Sequence, residues 1–186
     1  MKNGNEEFKG KERTKPFIIH EKVEAVVSYY NKNAFHCSKI LDDQGVLYLE
    51  SPPIKVMEES CLYYGSDIWG RWNVAKQILQ AKQMLPLTLS VLHDLVMIPL
   101  RSPLSSNCEW VSLAQIDSIE AIDAKQTRIT FRSGNQLDVA LQPNSIETKR
   151  YRAAFLRDEL IRRFMDGFQD EVPPSIWFMM MRSLRD

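Results

Sequence analysis

Net charge of either sign is what this sequence most plainly lacks: 24 Lys+Arg stand against 24 Asp+Glu in 186 residues. A globally basic coat is therefore excluded, and any DNA or RNA contact has to come from a local cluster. Cysteine is scarce. Cys37, Cys61 and Cys108 are odd in number and far apart, which argues against a disulfide framework and for a reducing cytoplasm. Metal-ligand spacing is missing too. His36 adjoins Cys37 on an expected strand, so their side chains face opposite ways, and the other two cysteines stand alone. No metal or other cofactor is expected, and the thiols are expected to pack as small hydrophobes. There is no long hydrophobic run: residues 84–100 are broken by Pro86, His93, Asp94 and Pro99 and fall short of the ~20 residues that span a bilayer. Residues 1–15 have no apolar core of the kind a secretory signal needs. A cytoplasmic protein with no membrane partner is expected.

Recognisable catalytic patterns are also lacking. Gly65 and Gly70 have the spacing of a phosphate loop, but Arg71-Trp72 stands where Lys-Ser/Thr is required. There is no Gly-x-Ser-x-Gly. His93-Asp94 reads as the polar tip of a hairpin, since adjacent residues there do not face each other. No nucleophile–base pair or carboxylate pair converges in the sequence, so a non-enzyme is expected.

What is present is enough apolar bulk for a core: 44% of residues are hydrophobic, with four Trp, six Tyr and eight Phe. Residues 1–15 read as a disordered charged arm, residues 16–168 as a single domain, and residues 169–186 as a closing or partner segment. Strands are expected at 23–30, 34–41 and 46–49, with a hairpin turn at Asp42-Asp43-Gln44-Gly45. Ile54, Met57, Cys61 and Leu62 recur at helical spacing, and Gly65 is placed to end that helix. Residues 65–72 read as a loop and 74–82 as a second helix. Short strands follow at 87–92, 95–100, 110–113, 116–122, 127–132 and 136–141, with Ser133-Gly134-Asn135 as a turn. Ser145 is expected to cap a long helix that runs to about Met165. The fold class is α+β: a curved antiparallel sheet or partly open barrel with a long C-terminal helix.

That last helix carries the strongest charge imbalance. Over 147–163 the cations Lys149, Arg150, Arg152, Arg157, Arg162 and Arg163 outnumber Glu147, Asp158 and Glu159. At ~100° per residue, Ala153, Leu156, Leu160, Ile161 and Phe164 form its apolar face. Arg152, Arg162 and Arg163 lie opposite, with Tyr151 and Phe155 beside them. Arg150 and Arg157 fall inside the apolar sector, where a guanidinium must be paired or look into a groove. A solvated face with satisfied structural arginines and an anion-binding surface are both compatible with this pattern. After Pro173-Pro174, the run Trp177, Phe178, Met179, Met180, Met181 is apolar on all sides. It reads either as a closing element docked on the domain or as a partner-binding peptide.

Several stretches taken together resemble the ComK family of competence transcription factors from Gram-positive bacteria. They are Cys37-Ser38-Lys39-Ile40, Val46-Leu47-Tyr48-Leu49 with Pro53-Ile54-Lys55-Val56, and Ser60-Cys61-Leu62-Tyr63-Tyr64-Gly65-Ser66 with Gly70-Arg71. Cys108-x-Trp110-Val111-Ser112, Phe131-x-Ser133-Gly134-Asn135 and Tyr151-Arg152-x-Ala154-x-Leu156-Arg157 complete the ordered set. The resemblance implies a nucleoid-associated activator of DNA-uptake genes. It would bind paired AT-rich boxes in double-stranded promoter DNA, mainly through the minor groove, as a homodimer or tetramer. An adaptor of a Clp-type protease is a further implied partner. The expected DNA-contacting residues are Arg71, Lys149, Arg150, Arg152, Arg157, Arg128 and Arg132. Of these, Arg71, Arg152 and Arg157 fall inside the resembling motifs. Residues 71–83 and the tail after Arg163 depart from the family pattern. The alternative is a non-catalytic, pleckstrin-homology-like interaction domain over about 87–164 that binds protein or lipid.

Overall fold

The structure, a computed structural model, describes residues 16–166. The expected arm at 1–15 and the segment 169–186, with Trp177, Phe178 and Met179 to Met181, lie outside the described residues. The first three strands follow their sequence pattern closely: β1 (Val23–Tyr30), β2 (His36–Asp42) and β3 (Gly45–Leu49). Asp42 pairs with Gly45 across a two-residue turn, and the Asp42 carboxylate accepts a bond from the Gln44 N–H at 2.8 Å. Helix α1 (Pro53–Tyr63) starts on a proline at its first position and buries Val56, Met57, Ser60 and Cys61. It ends in a Schellman turn. Gly65 takes φ +78° and donates to the Leu62 carbonyl at 3.1 Å, and Ser66 donates to the Cys61 carbonyl at 3.0 Å.

Residues 68–72 are not a loop. Helix α2 (Ile68–Leu79) begins there, capped by Asp67, whose side chain accepts from the Gly70 N–H at 2.8 Å. A Cβ on Gly70 would meet the Asp67 carboxylate at 2.9 Å, so this glycine serves the cap. The helix leaves through Gln80 in the left-handed conformation and does not reach Lys82.

Strands β4 (Leu87–Ser90), β5 (Leu95–Pro99) and β6 (Trp110–Ser112) extend the first sheet, which has the order β3-β2-β1-β6-β5-β4 with every pair antiparallel. It is an open sheet, with β3 and β4 at its edges. The later strands β7 (Ile116–Ala121), β8 (Thr127–Phe131) and β9 (Gln136–Val139) form a separate three-stranded sheet. The reason is on β6. It pairs with β5 on one side and with β1 on the other, so β7 cannot pair with the strand that precedes it. A 3₁₀ turn at Leu113–Gln115 takes the chain out of the first sheet instead. The run of strands over 87–164 therefore does not close into the one barrel that a pleckstrin-homology-like fold would need.

The six-stranded sheet is apolar on both faces. Val26, Ile40, Leu87, Leu89, Met97 and Trp110 pack with α1 and α2 on one side. Ala25, Val96, Ile98 and Val111 pack with Ile129 and Phe131 of the small sheet on the other. Strand β5 alternates between the two, with Leu95 and Met97 on one face and Val96 and Ile98 on the other. Buried Glu24 sits where the β1 register shifts, and one of its oxygens accepts from Asn135 Nδ2 at 2.9 Å. The same amide donates to the Asp42 carbonyl at 3.0 Å, so the β8–β9 turn is bonded to the first sheet.

Helix α3 (Pro143–Asp166) starts two residues before Ser145. Pro143 takes the first helical position, and the Gln142 carbonyl accepts from Ser145 and Ile146. Ser145 is therefore inside the helix, not its cap. Of the expected apolar face, Ala153, Leu156 and Leu160 join the core clusters, and Ile161 and Phe164 are only partly buried. Ile146 and Ala153 join the cluster between the two sheets, while Leu156 and Leu160 join the cluster under α1 and α2.

Candidate nucleic-acid interface

The partners of the α3 cations differ from one to the next. Arg150 Nη1 lies 3.9 Å from Glu147. Arg157 reaches Asp158 at 2.9 Å and Asp94, in the β4–β5 turn, at 3.8 Å. Arg162 and Arg163 both bond Glu159, at 2.9 and 2.7 Å, and Arg162 also bonds Asp166. These two guanidiniums hold the Glu159 carboxyl well below its ordinary value. Every acidic residue on the helix is thereby used. Lys149 and Arg152, one turn apart, form no ion pair among the described residues. Burial pushes the half-buried Lys149 ammonium below its ordinary value; nearby Cys108 opposes that shift and the Arg152 charge adds to it.

Arg152 is exposed and borders a shallow groove of about 390 Å³ between the end of α2 and α3. Ile78, Leu79 and Gln80 line one wall, and Tyr151, Arg152 and Phe155 the other. Tyr151 is 72% exposed and Phe155 48%. A guanidinium with no ion pair among the described residues, beside two accessible aromatic rings, is a surface that can meet an anionic or a flat apolar partner.

The remaining predicted residues lie elsewhere. Arg71, in the first turn of α2, donates to the Tyr64 carbonyl at 3.3 Å and so satisfies the C-terminus of α1. Its buried Nε has no hydrogen-bond partner among the described residues. Arg128 makes a two-pronged bond to Asp138 on the neighbouring strand, 2.8 Å at each nitrogen, and also faces Glu120. Arg132 follows β8 and is exposed. Burial raises the Asp94 carboxyl, while Arg157 and then Arg132 pull it down. The structure thus brings Lys149 and Arg152 together on one helix, brings Arg132 and Arg157 towards Asp94, and leaves Arg71 and Arg128 apart.

Sequence reasoning passed over the groove itself. Ile78 and Leu79 were legible as one side of a helix, but nothing local showed that Tyr151 and Phe155 would stand across from them. The three cysteines are free and buried, with burial pushing the Cys61 and Cys108 thiols up to about 11. Among the described residues no cluster of His, Cys, Asp or Glu could hold a metal ion. No helix there is long and apolar enough to cross a membrane.

The comparisons with known proteins agree with the motifs. A family model described as ComK protein matches residues 14–165. The competence transcription factor of Bacillus subtilis (strain 168) is 26% identical over 144 residues, covering 77% of this chain and 73% of that protein. No solved structure matches the chain significantly. With a family match that spans nearly all the described residues and both sheets, the chain belongs to the ComK family.

Proposed function

We propose that the protein is a competence transcription activator that binds paired AT-rich boxes in double-stranded DNA through the minor groove, as a dimer or tetramer. The observation that carries this reading is the 149–155 stretch of α3. There Lys149 and Arg152 hold no anion among the described residues, beside the accessible rings of Tyr151 and Phe155. The name of the Bacillus subtilis relative supports the biological assignment. A narrow A·T minor groove concentrates negative potential and favours an inserted arginine, and apolar side chains can wedge between base steps beside it. A handful of phosphate contacts suffices for affinity, so a neutral chain is compatible with DNA binding. Arg132 adds an exposed cation. Arg71, Arg128, Arg150 and Arg157 would have to exchange or share the partners they hold.

The test is a gel shift on AT-rich boxes with A·T pairs replaced by I·C pairs. That swap keeps the minor-groove pattern and changes the major groove. Binding should survive it, and fall on G·C boxes. Loss on the I·C boxes would mean that the major groove is read and the minor-groove mechanism is wrong.

A further inference from the structure

We propose that β3 is the pairing edge of a homodimer, in which two copies of the chain join antiparallel through Gly45–Leu49 and make one continuous sheet. The outer strands of an open sheet carry unpaired N–H and C=O groups, and proteins ordinarily block them with charge, proline, a bulge or brevity. Among the described residues the two sheets have four edges, β3, β4, β7 and β9. Strand β4 is four residues long, follows Pro86 and shifts register between Thr88 and Ser90. Strand β7 carries Asp117 and Glu120 and shifts register between Ile116 and Ser118. Strand β9 is four residues long and carries Asp138. Strand β3 has none of these devices. Its five residues hold no charge and no proline, and they pair with β2 in unbroken register. No described strand lies on its other side.

The side chains of this edge are also uncovered. Val46 and Tyr48 share one face of the sheet and are 47% and 51% exposed. Leu47 and Leu49, on the other face, pack against the cluster under α1 and α2. Tyr48 stands edge-on to Tyr29, with ring centroids 5.3 Å apart. A second copy is the occupant that fits, because β3 is complementary to itself in one register. A two-fold axis at Leu47 sets Val46 against the second copy's Tyr48 on both sides of the axis. A β-branched residue opposite an aromatic one is a favourable cross-strand pair. The same register keeps the helix-covered faces of both copies on one side, which a slip by one residue would not. Slips by two residues are worse matched. Centred on Val46, the pairing brings Asp42 to the second copy's Glu50; centred on Tyr48, it sets Val46 against Glu50. With 24 cations balanced by 24 anions, the chain also lacks the self-repulsion that keeps highly charged proteins apart. The interface deepens the dimer of the proposed function and rests on that reading for its use on DNA. None of its residues belongs to the α3 surface.

The test is sedimentation equilibrium of the full-length protein without DNA. The parent should dimerise. Val46→Glu with Tyr48→Glu sets like charges opposite each other across the axis and should raise the dimer dissociation constant at least about tenfold. Val46→Lys with Tyr48→Glu sets opposite charges there and should recover most of that loss. Both side chains are exposed, so the core is spared. Hydrogen exchange of the parent needs no substitution: the outward-pointing amides of 45–49 should gain protection as the dimer forms. A parent that stays monomeric up to about 100 μM would overturn the proposal. So would a dimer indifferent to both pairs of substitutions, or a Lys–Glu variant as weak as the Glu–Glu one. Protection of the outward amides already in the monomer would overturn it too, since the chain would then cover this edge itself. A dimer paired through β3 that fails to bind AT-rich DNA would sink the DNA reading and leave the interface standing. A DNA-binding protein that never pairs through β3 would do the reverse.

Discussion

Arg152 and Arg157 stand five positions apart on α3 and do different work. Arg152 borders the groove and forms no ion pair among the described residues. Arg152→Ala should therefore leave the melting temperature unchanged and weaken DNA binding. The slope of log affinity against log salt should shrink by about one unit. A folded Arg152→Ala protein with unchanged affinity in filter binding would remove this residue from the interface. Arg157 instead ties α3 to Asp94 at the β4–β5 turn. Arg157→Ala should cost on the order of 1 kcal/mol in urea unfolding, because solvent screens the pair, and should weaken DNA binding only through that loss. Its pH dependence has a definite sign. Burial already raises the Asp94 carboxyl above its ordinary 3.8, and losing Arg157 raises it further. A raised carboxyl weakens the fold where it is ionised. The deficit should be full at neutral pH. It should vanish as the pH falls through the raised value towards 3.8, where a protonated Asp94 no longer needs a cation.

At the level of elements, the α1–α2 corner depends on two glycines for different reasons. Gly65 has open space around its Cα but takes φ +78°, so Gly65→Ala should lower stability by about 1 kcal/mol through backbone strain alone. Thermal melts of Gly65→Ala and Gly65→Asn would check this, with Asn the milder change because it tolerates the left-handed region. Gly70 is needed where the Asp67 carboxylate caps α2. That difference explains which elements the sequence disclosed. The strand from Val23 to Tyr30 and the turn at Asp42–Gly45 are governed by neighbours in the chain, so alternation and turn residues reveal them. The first turn of α2 was hidden because a glycine that serves a cap looks like a glycine that serves a loop. Ser145 misled in the opposite way: it is a good cap residue, but Pro143 starts the helix earlier. The cation-rich face of α3 was legible from its 3.6-residue period. The groove opposite Tyr151 was not, because its other wall comes from residues some seventy positions away.

Across the whole molecule, the two sheets meet through apolar packing and through a polar bridge, Asn135 to Glu24 and to the Asp42 carbonyl. Glu24 is fully buried, and its second oxygen has no hydrogen-bond partner among the described residues. Asn135→Ala would strip the carboxylate of the bond that holds it and should destabilise by about 1–3 kcal/mol. The reading is a lower urea midpoint with an unchanged slope, since the surface exposed on unfolding is the same. A midpoint indistinguishable from the parent would show that the bridge contributes no net stability.

The pairing of β1 with β6 also dictates an order of events during synthesis. Ala25 waits for Val111, and Val26 for Trp110. Until the ribosome has released those later residues, one side of β1 stays open. Emergence of α1 and α2 cannot close it, because they cover a face of the sheet rather than its edge. Helix α3 completes both apolar clusters and comes later still. Contacts this distant in sequence form slowly, and unpaired edges invite aggregation and degradation in the meantime. A nascent chain halted between β3 and β4 would thus carry a three-stranded fragment with one side of β1 unpaired.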